Sequence, residues 1–128
     1  MLVHHFAINV KDIARSKTFY TPLMKLLGQD ISFEVPDRYC GYANNAFGLG
    51  QDSTGHPSQI HIAFNANSQA QVDEFYKMAL ELGGKCNGQP GLRTQYAPTY
   101  YAAFVHDFDG NNIEVVHLSG AYGNEKAD

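Results

Sequence analysis

The chain has only two cysteines and little surplus of charge, and each shortage removes a class of protein. Cys40 and Cys86 are too few for a disulfide framework and lack the paired spacing of a metal finger, so both read as reduced thiols. Nine basic and thirteen acidic residues give a formal net charge of −4 with no basic stripe, which argues against a nucleic-acid partner. No apolar run approaches the roughly 18 residues of a membrane span, and no charged-then-apolar leader precedes the first strand. A soluble, cytoplasmic protein is expected. Glycine-rich phosphate loops, a nucleophile elbow and a Cys/His dyad are all missing. What remains, at 128 residues and 44% hydrophobic content, is an ordinary globular composition of one-domain size.

What is present is a repeat. His5-Phe6-Ala7-Ile8-Asn9-Val10 returns 56 residues later as His61-Ile62-Ala63-Phe64-Asn65-Ala66, sharing His-x-Ala-x-Asn. Phe19-Tyr20 returns as Phe75-Tyr76, and Leu27-Gly28 as Leu82-Gly83. Two copies are too few for a solenoid, so the reading is one domain over 1–128. It divides into a module of about 1–50, a polar linker of about 51–58, a second module of about 59–118 and a polar tail at 119–128.

Each module has the same order. A strand over Leu2 to Val10 leads into a helix capped by Asp12, running from Ile13 to Leu27 and stopped by Gly28, with Pro22 expected to kink or shorten it. Short strands follow near 30–35, 38–43 and 45–50, broken at Pro36-Asp37 and Asn44-Asn45. The second module opens with a strand at 59–66. Its helix carries a Ser68/Gln71 capping box and apolar Val72, Phe75, Ala79 and Leu82 on one face. Strands near 85–89, 99–106 and 111–118 complete it, the last two joined at Asp109-Gly110, with Gln89 to Pro98 irregular. Two helices cannot cover eight strands on both faces. The expected class is therefore α+β: paired βαβββ modules in a curved mixed sheet, helices on the outer face, around a shared cavity.

Strand alternation sorts the chemistry. His5, Ala7 and Asn9 share a face, as do His61, Ala63 and Asn65, and Asn112, Glu114 and Val116, with bulky apolar residues opposite. Two imidazoles and one carboxylate suit a divalent first-row cation and leave positions open for substrate. The candidate metal ligands are His5, His61 and Glu114. Read singly, each imidazole is more readily an ordinary half-buried histidine than a ligand. The repetition of His and the lone acid in an apolar strand favour the metal. Arg93, Tyr96, Tyr100 and Tyr101 are candidates to line the pocket mouth, Arg93 by pairing an anionic substrate. Alternation lets only one of Tyr100 and Tyr101 face the cavity. His4 falls on the face away from His5, and His56, His106 and His117 read as surface or packing residues.

These residues resemble the vicinal-oxygen-chelate superfamily of glyoxalases, extradiol dioxygenases and bleomycin-resistance proteins. The likeness spans Val3 to Leu118. It is carried by His5 to Val10, Ser16, Phe19-Tyr20, Leu27-Gly28, His61-Ile62-Ala63 and, most specifically, Asp107-Phe108-Asp109-Gly110-Asn111-Asn112-Ile113-Glu114. The family has proline where Phe108 stands. The resemblance implies paired βαβββ modules, frequent homodimers, and a divalent metal (Fe, Zn, Mn or Ni) at the positions of His5, His61 and Glu114. It also implies a small-molecule substrate with neighbouring oxygens. Glyoxalase-type sites take a further glutamate from the last strand of the first module. Here that position falls on or beside Gly48, which argues against lactoylglutathione isomerisation and leaves the two-His-one-carboxylate set of the dioxygenase branch. The alternative is a bleomycin-resistance-type protein that sequesters a ligand without turning it over. Modules of this family pair within a chain or across chains, so His5 and His61 belong either to one site or to different subunit interfaces.

Overall fold

The computed structural model describes residues 2–120. The polar tail read over 119–128 therefore lies, from residue 121 onward, outside the described residues. Ten elements follow in the expected order: β1 (Phe6–Val10), α1 (Ile13–Leu26), β2 (Ile31–Val35), β3 (Tyr39–Tyr42), β4 (Phe47–Gln51), β5 (His61–Asn65), α2 (Gln69–Glu81), β6 (Lys85–Leu92), β7 (Tyr101–His106) and β8 (Asn112–His117). The strands form two mixed sheets without barrel closure, ordered β1-β4-β3-β2 and β5-β8-β7-β6. In each, the first strand runs parallel to the fourth and the rest are antiparallel. The fold is α+β, two βαβββ modules of identical topology.

Local chemistry accounts for the helices. The Asp12 carboxylate accepts the Arg15 N–H, and Gln51 Oε1 accepts the Ile13 N–H, so two of the donors that open α1 are satisfied. Ser68 caps α2 through the Gln71 N–H. Gln71 does not close a standard capping box: its Oε1 accepts from Asn67 N–H, and its Nε2 donates to the Leu26 carbonyl at the end of α1. Pro22 sits inside α1, which continues to Leu26. Gly28 and Gly83 take positive φ just after each helix, where a side chain would be strained.

One face of each sheet is covered and one is open. Ile8, Val10, Leu49 and Cys40 from the first sheet pack with Phe19, Tyr20 and Leu23 of α1. Ile62, Val105, Ile113 and Val115 from the second pack with Val72, Phe75 and Ala79 of α2, and both sets belong to one core. The modules are joined at several points. Phe47 and Phe64 rings lie 5.2 Å apart, and Asn9 exchanges hydrogen bonds with Ser58. The buried Asp107 carboxylate accepts from the Tyr20 hydroxyl of α1, and from the backbone N–H groups of Asp109 and Asn111 and the Asn111 side chain. Phe108 lies under the Arg15 guanidinium at 3.9 Å and beside Phe19 at 5.3 Å, so its ring packs between the modules.

Burial, and the Asp107 charge beside it, raise the Tyr20 phenol well above its ordinary value, and burial raises Tyr42 as well. Both groups therefore favour the neutral form in the folded state. Their contribution is complete below the ordinary phenol value of about 10 and is lost as pH climbs from there through the folded values. The unfolding free energy from urea titrations is expected to fall above about pH 10, by up to about 1.4 kcal/mol per pH unit for each tyrosine. Tyr20→Phe should flatten that loss. Equal alkaline slopes in the two proteins would contradict the assignment.

Candidate functional site

The open face of the second sheet carries a preassembled pair. Alternation turns Ile62 inward and leaves His61, Ala63 and Asn65 exposed on β5. The parallel ladder sets Ala63 opposite Glu114 and His61 opposite Asn112, which brings the His61 ring across to the Glu114 carboxylate. His61 Nε2 stands 2.7 Å from Glu114 Oε1. The other carboxylate oxygen accepts from the Tyr100 hydroxyl. Glu114 is 2% exposed, whereas the His61 side chain is 54% exposed. A buried acid is thus held on one oxygen by a phenol and on the other by a half-exposed imidazole.

Around the pair is an open cavity of about 480 Å³ lined by His61, Gln95, Tyr96, Tyr100, Phe104 and Glu114. Tyr96 packs edge-on to Tyr100 with ring centres 5.1 Å apart, and Phe104 lies 6.3 Å from the His61 ring. Of the tyrosine pair, Tyr100 faces the carboxylate, while Tyr101 turns to the helix side and donates to Asp73 of α2. Arg93 does not line the cavity. Its guanidinium donates to the Gln89 and Gly91 carbonyls and lies 5.3 Å from the Phe104 ring, bracing the irregular β6. Gln95 and Phe104 carried no sequence signal beyond strand alternation, which places Phe104 opposite Glu114 in the β7–β8 ladder.

His5 is not part of this cluster. Among the described residues no three His, Cys, Asp or Glu side chains are grouped closely enough to hold a metal ion. His5 belongs to the edge of the first sheet, where Phe6 N–H bonds the Ala46 carbonyl. Its ring meets that of His4, with Nδ1 atoms 2.8 Å apart and ring centres at 5.0 Å. The alternation expected to separate His4 from His5 does not apply, because the strand begins at Phe6 and the two histidines sit in the irregular lead-in. His56 is exposed, His106 is half-buried, and His117 Nδ1 contacts the Ala66 carbonyl, all away from the pair.

The donor chemistry fits a divalent cation. Two ligand atoms about 2.1 Å from one ion lie roughly 3.0–3.4 Å apart in octahedral or tetrahedral geometry. The observed 2.7 Å separation needs only a few tenths of an ångström of adjustment. The Tyr100 hydroxyl supplies the outer hydrogen bond that orients a ligating carboxylate.

The register also places the repeat-related position on the first sheet. Ala7 pairs with Gly48 as Ala63 pairs with Glu114, so Gly48 is the counterpart of Glu114. Gly48 brings no carboxylate, and the space a side chain would take there is held by Tyr39: a Cβ on Gly48 would fall 2.0 Å from the Tyr39 hydroxyl oxygen.

Residues 2–115 match the family model described as the Glyoxalase/Bleomycin resistance protein/Dioxygenase superfamily. Among solved structures, a glyoxalase/bleomycin resistance protein from Albidiferax ferrireducens is 28% identical with a TM-score of 0.79, covering 92% of this chain and 99% of that one. A lactoylglutathione lyase from Agrobacterium tumefaciens (18% identity, TM-score 0.65, 90% and 92% covered) shares the fold. So does TioX from Micromonospora (13%, 0.64, 91% and 96%). No curated protein matches the chain in sequence. Match to the family model over nearly all described residues, with paired βαβββ topology and the acid on the final strand, places the chain in the Glyoxalase/Bleomycin resistance protein/Dioxygenase superfamily.

Proposed function

We propose that the chain is a metal-dependent enzyme of the glyoxalase/dioxygenase-like type that acts on a small molecule with neighbouring oxygens. The cation would be held by His61 and Glu114 of one copy and His5 of a second. The observation that carries this is the His61–Glu114 pair, braced by Tyr100 and lining an open cavity. When bound, the cation would act as a Lewis acid on chelated oxygens. The chain's own residues do the rest. Glu114 offers a buried carboxylate oxygen as a ligand, Tyr100 keeps that carboxylate oriented, and Tyr96 and Phe104 offer aromatic walls to the substrate.

A second copy supplies what one copy lacks. The repeat relates His5 and Gly48 of the first module to His61 and Glu114 of the second, which supports two halves of one site. Pairing the first face of one copy with the second face of another would close two equivalent sites in a symmetric homodimer. Mixing tests this. His5→Ala and Glu114→Ala proteins are each expected to take up no stoichiometric metal. After co-refolding at equal amounts, about half the dimers are mixed and carry one intact site, restoring roughly a quarter of the normal metal content. Metal content that stays at zero after mixing would overturn assembly across copies.

One observation favours a second reading, ligand sequestration without turnover. If His61 and Glu114 are engaged by a cation, the cavity lining offers the phenols of Tyr96 and Tyr100 but no further imidazole or carboxylate to take a proton. Stabilisation by a small aromatic ligand that is indifferent to chelators would favour this reading.

A further inference from the structure

The first sheet's open face contains a device that the metal pair does not explain. Ala43, Asn44 and Asn45 all have positive φ (57°, 55° and 65°), a costly run for residues other than glycine. The turn directs Asn45 back over the sheet, where its Oδ1 accepts from the Tyr39 hydroxyl at 2.9 Å and its backbone N–H bonds Ser32 Oγ at 2.8 Å. Two adjacent strand residues are glycine beneath this pair. A Cβ on Gly41 would meet Asn45 Oδ1 at 2.2 Å, and one on Gly48 would meet the Tyr39 hydroxyl at 2.0 Å. Three left-handed residues, two missing side chains and a three-member hydrogen-bond network together fix one phenol oxygen above Gly48.

That location is the counterpart of Glu114. We infer that the Tyr39 hydroxyl is a ligand-contacting group that takes the place of a second carboxylate and accepts a hydrogen bond from a hydroxyl of the chelated substrate. The inference rests on the proposed metal site. Because the Tyr39 proton is given to Asn45, the phenol oxygen offers lone pairs to whatever approaches the face. With glycine in place of a second carboxylate, the two-His-one-carboxylate set also keeps a net positive charge when a divalent cation is bound. The site therefore suits an anionic chelator that also bears a hydroxyl, such as an α-hydroxy carboxylate, over one whose chelating oxygens carry no proton.

The test uses cobalt(II)-loaded full-length protein, with glycolate and oxalate as probes and the visible absorption of the cobalt as the readout. Tyr39→Phe deletes one oxygen, and circular dichroism checks its fold. It should keep its cobalt, lose about 3- to 10-fold in glycolate affinity, as for one hydrogen bond, and bind oxalate unchanged. Gly48→Ala, which displaces the hydroxyl while keeping the phenol, should shift the glycolate-to-oxalate ratio in the same direction. Cobalt uptake with that ratio unchanged in both variants overturns the Tyr39 assignment alone. Failure of the unmodified protein to take up cobalt overturns the metal reading and this inference with it.

Discussion

Replacing Glu114 by glutamine is expected to abolish metal uptake while leaving the fold intact. The carboxylate is buried, accepts from Tyr100 and faces His61 Nε2 across 2.7 Å. Glutamine fills the same volume and its amide oxygen can still accept from Tyr100, so packing is retained. What disappears is the anionic ligand. Loss of an outer hydrogen bond to a metal ligand costs about 10- to 100-fold in affinity, and loss of the ligand itself should cost at least about 100-fold. His61→Ala should behave alike, because the imidazole is largely exposed and its removal leaves no buried void. Metal content after equilibrium dialysis reads the effect directly. Normal loading of either variant would mean that the pair is a plain imidazole–carboxylate hydrogen bond.

The second large effect is on stability. Asp107 sits between the modules and its carboxylate collects four donors, of which the Tyr20 hydroxyl and both Asn111 groups are buried. Asp107→Ala would strand these donors without water. At about 1–3 kcal/mol for each buried group left unsatisfied, and with partial relaxation, the expected loss is about 3–5 kcal/mol. That is a large share of the roughly 5–15 kcal/mol that holds an ordinary domain together. Tyr20→Phe removes a single donor and should cost about 1–2 kcal/mol. Urea denaturation of the three proteins tests the ordering. An Asp107→Ala protein within 1 kcal/mol of the unmodified chain would show that the loop relaxes to recruit water.

The architecture was legible because the repeat and the helix caps are local signals. Asp12 and Ser68 cap where the sequence places them, and the His-x-Ala-x-Asn strands expose the predicted faces. Two misjudged features have physical causes. The sixth strand runs on through Pro90 to Leu92, beyond the expected end at 89, because β6 is a sheet edge, where a residue without an N–H is tolerated. His4 and His5 meet because the strand begins after them, so period-two alternation does not govern their directions.

The site was legible only in part. Alternation and register put His61 and Glu114 on one face, and the structure brings their side chains together. His5 precedes its strand, outside that alternation, so whether it reaches the pair depends on packing beyond the strand itself. No periodicity encodes that. Arg93 had the right chemistry and a nearby position, yet the bulges of β6 turn its guanidinium onto the Gln89 and Gly91 carbonyls. Tyr39 gave no sequence signal by itself. Its importance follows from Gly41 and Gly48, whose missing side chains are meaningful only once the register and the left-handed turn at 43–45 are seen.

The most direct test of the account is a crystal structure of the metal-soaked protein with anomalous data collected at the metal's absorption edge. The account predicts one peak per chain, about 2.0–2.2 Å from His61 Nε2 and a Glu114 oxygen, with a ring nitrogen of a second copy's His5 completing the set. A map with no peak at the His61–Glu114 pair, under conditions where the free ion is abundant, would contradict it.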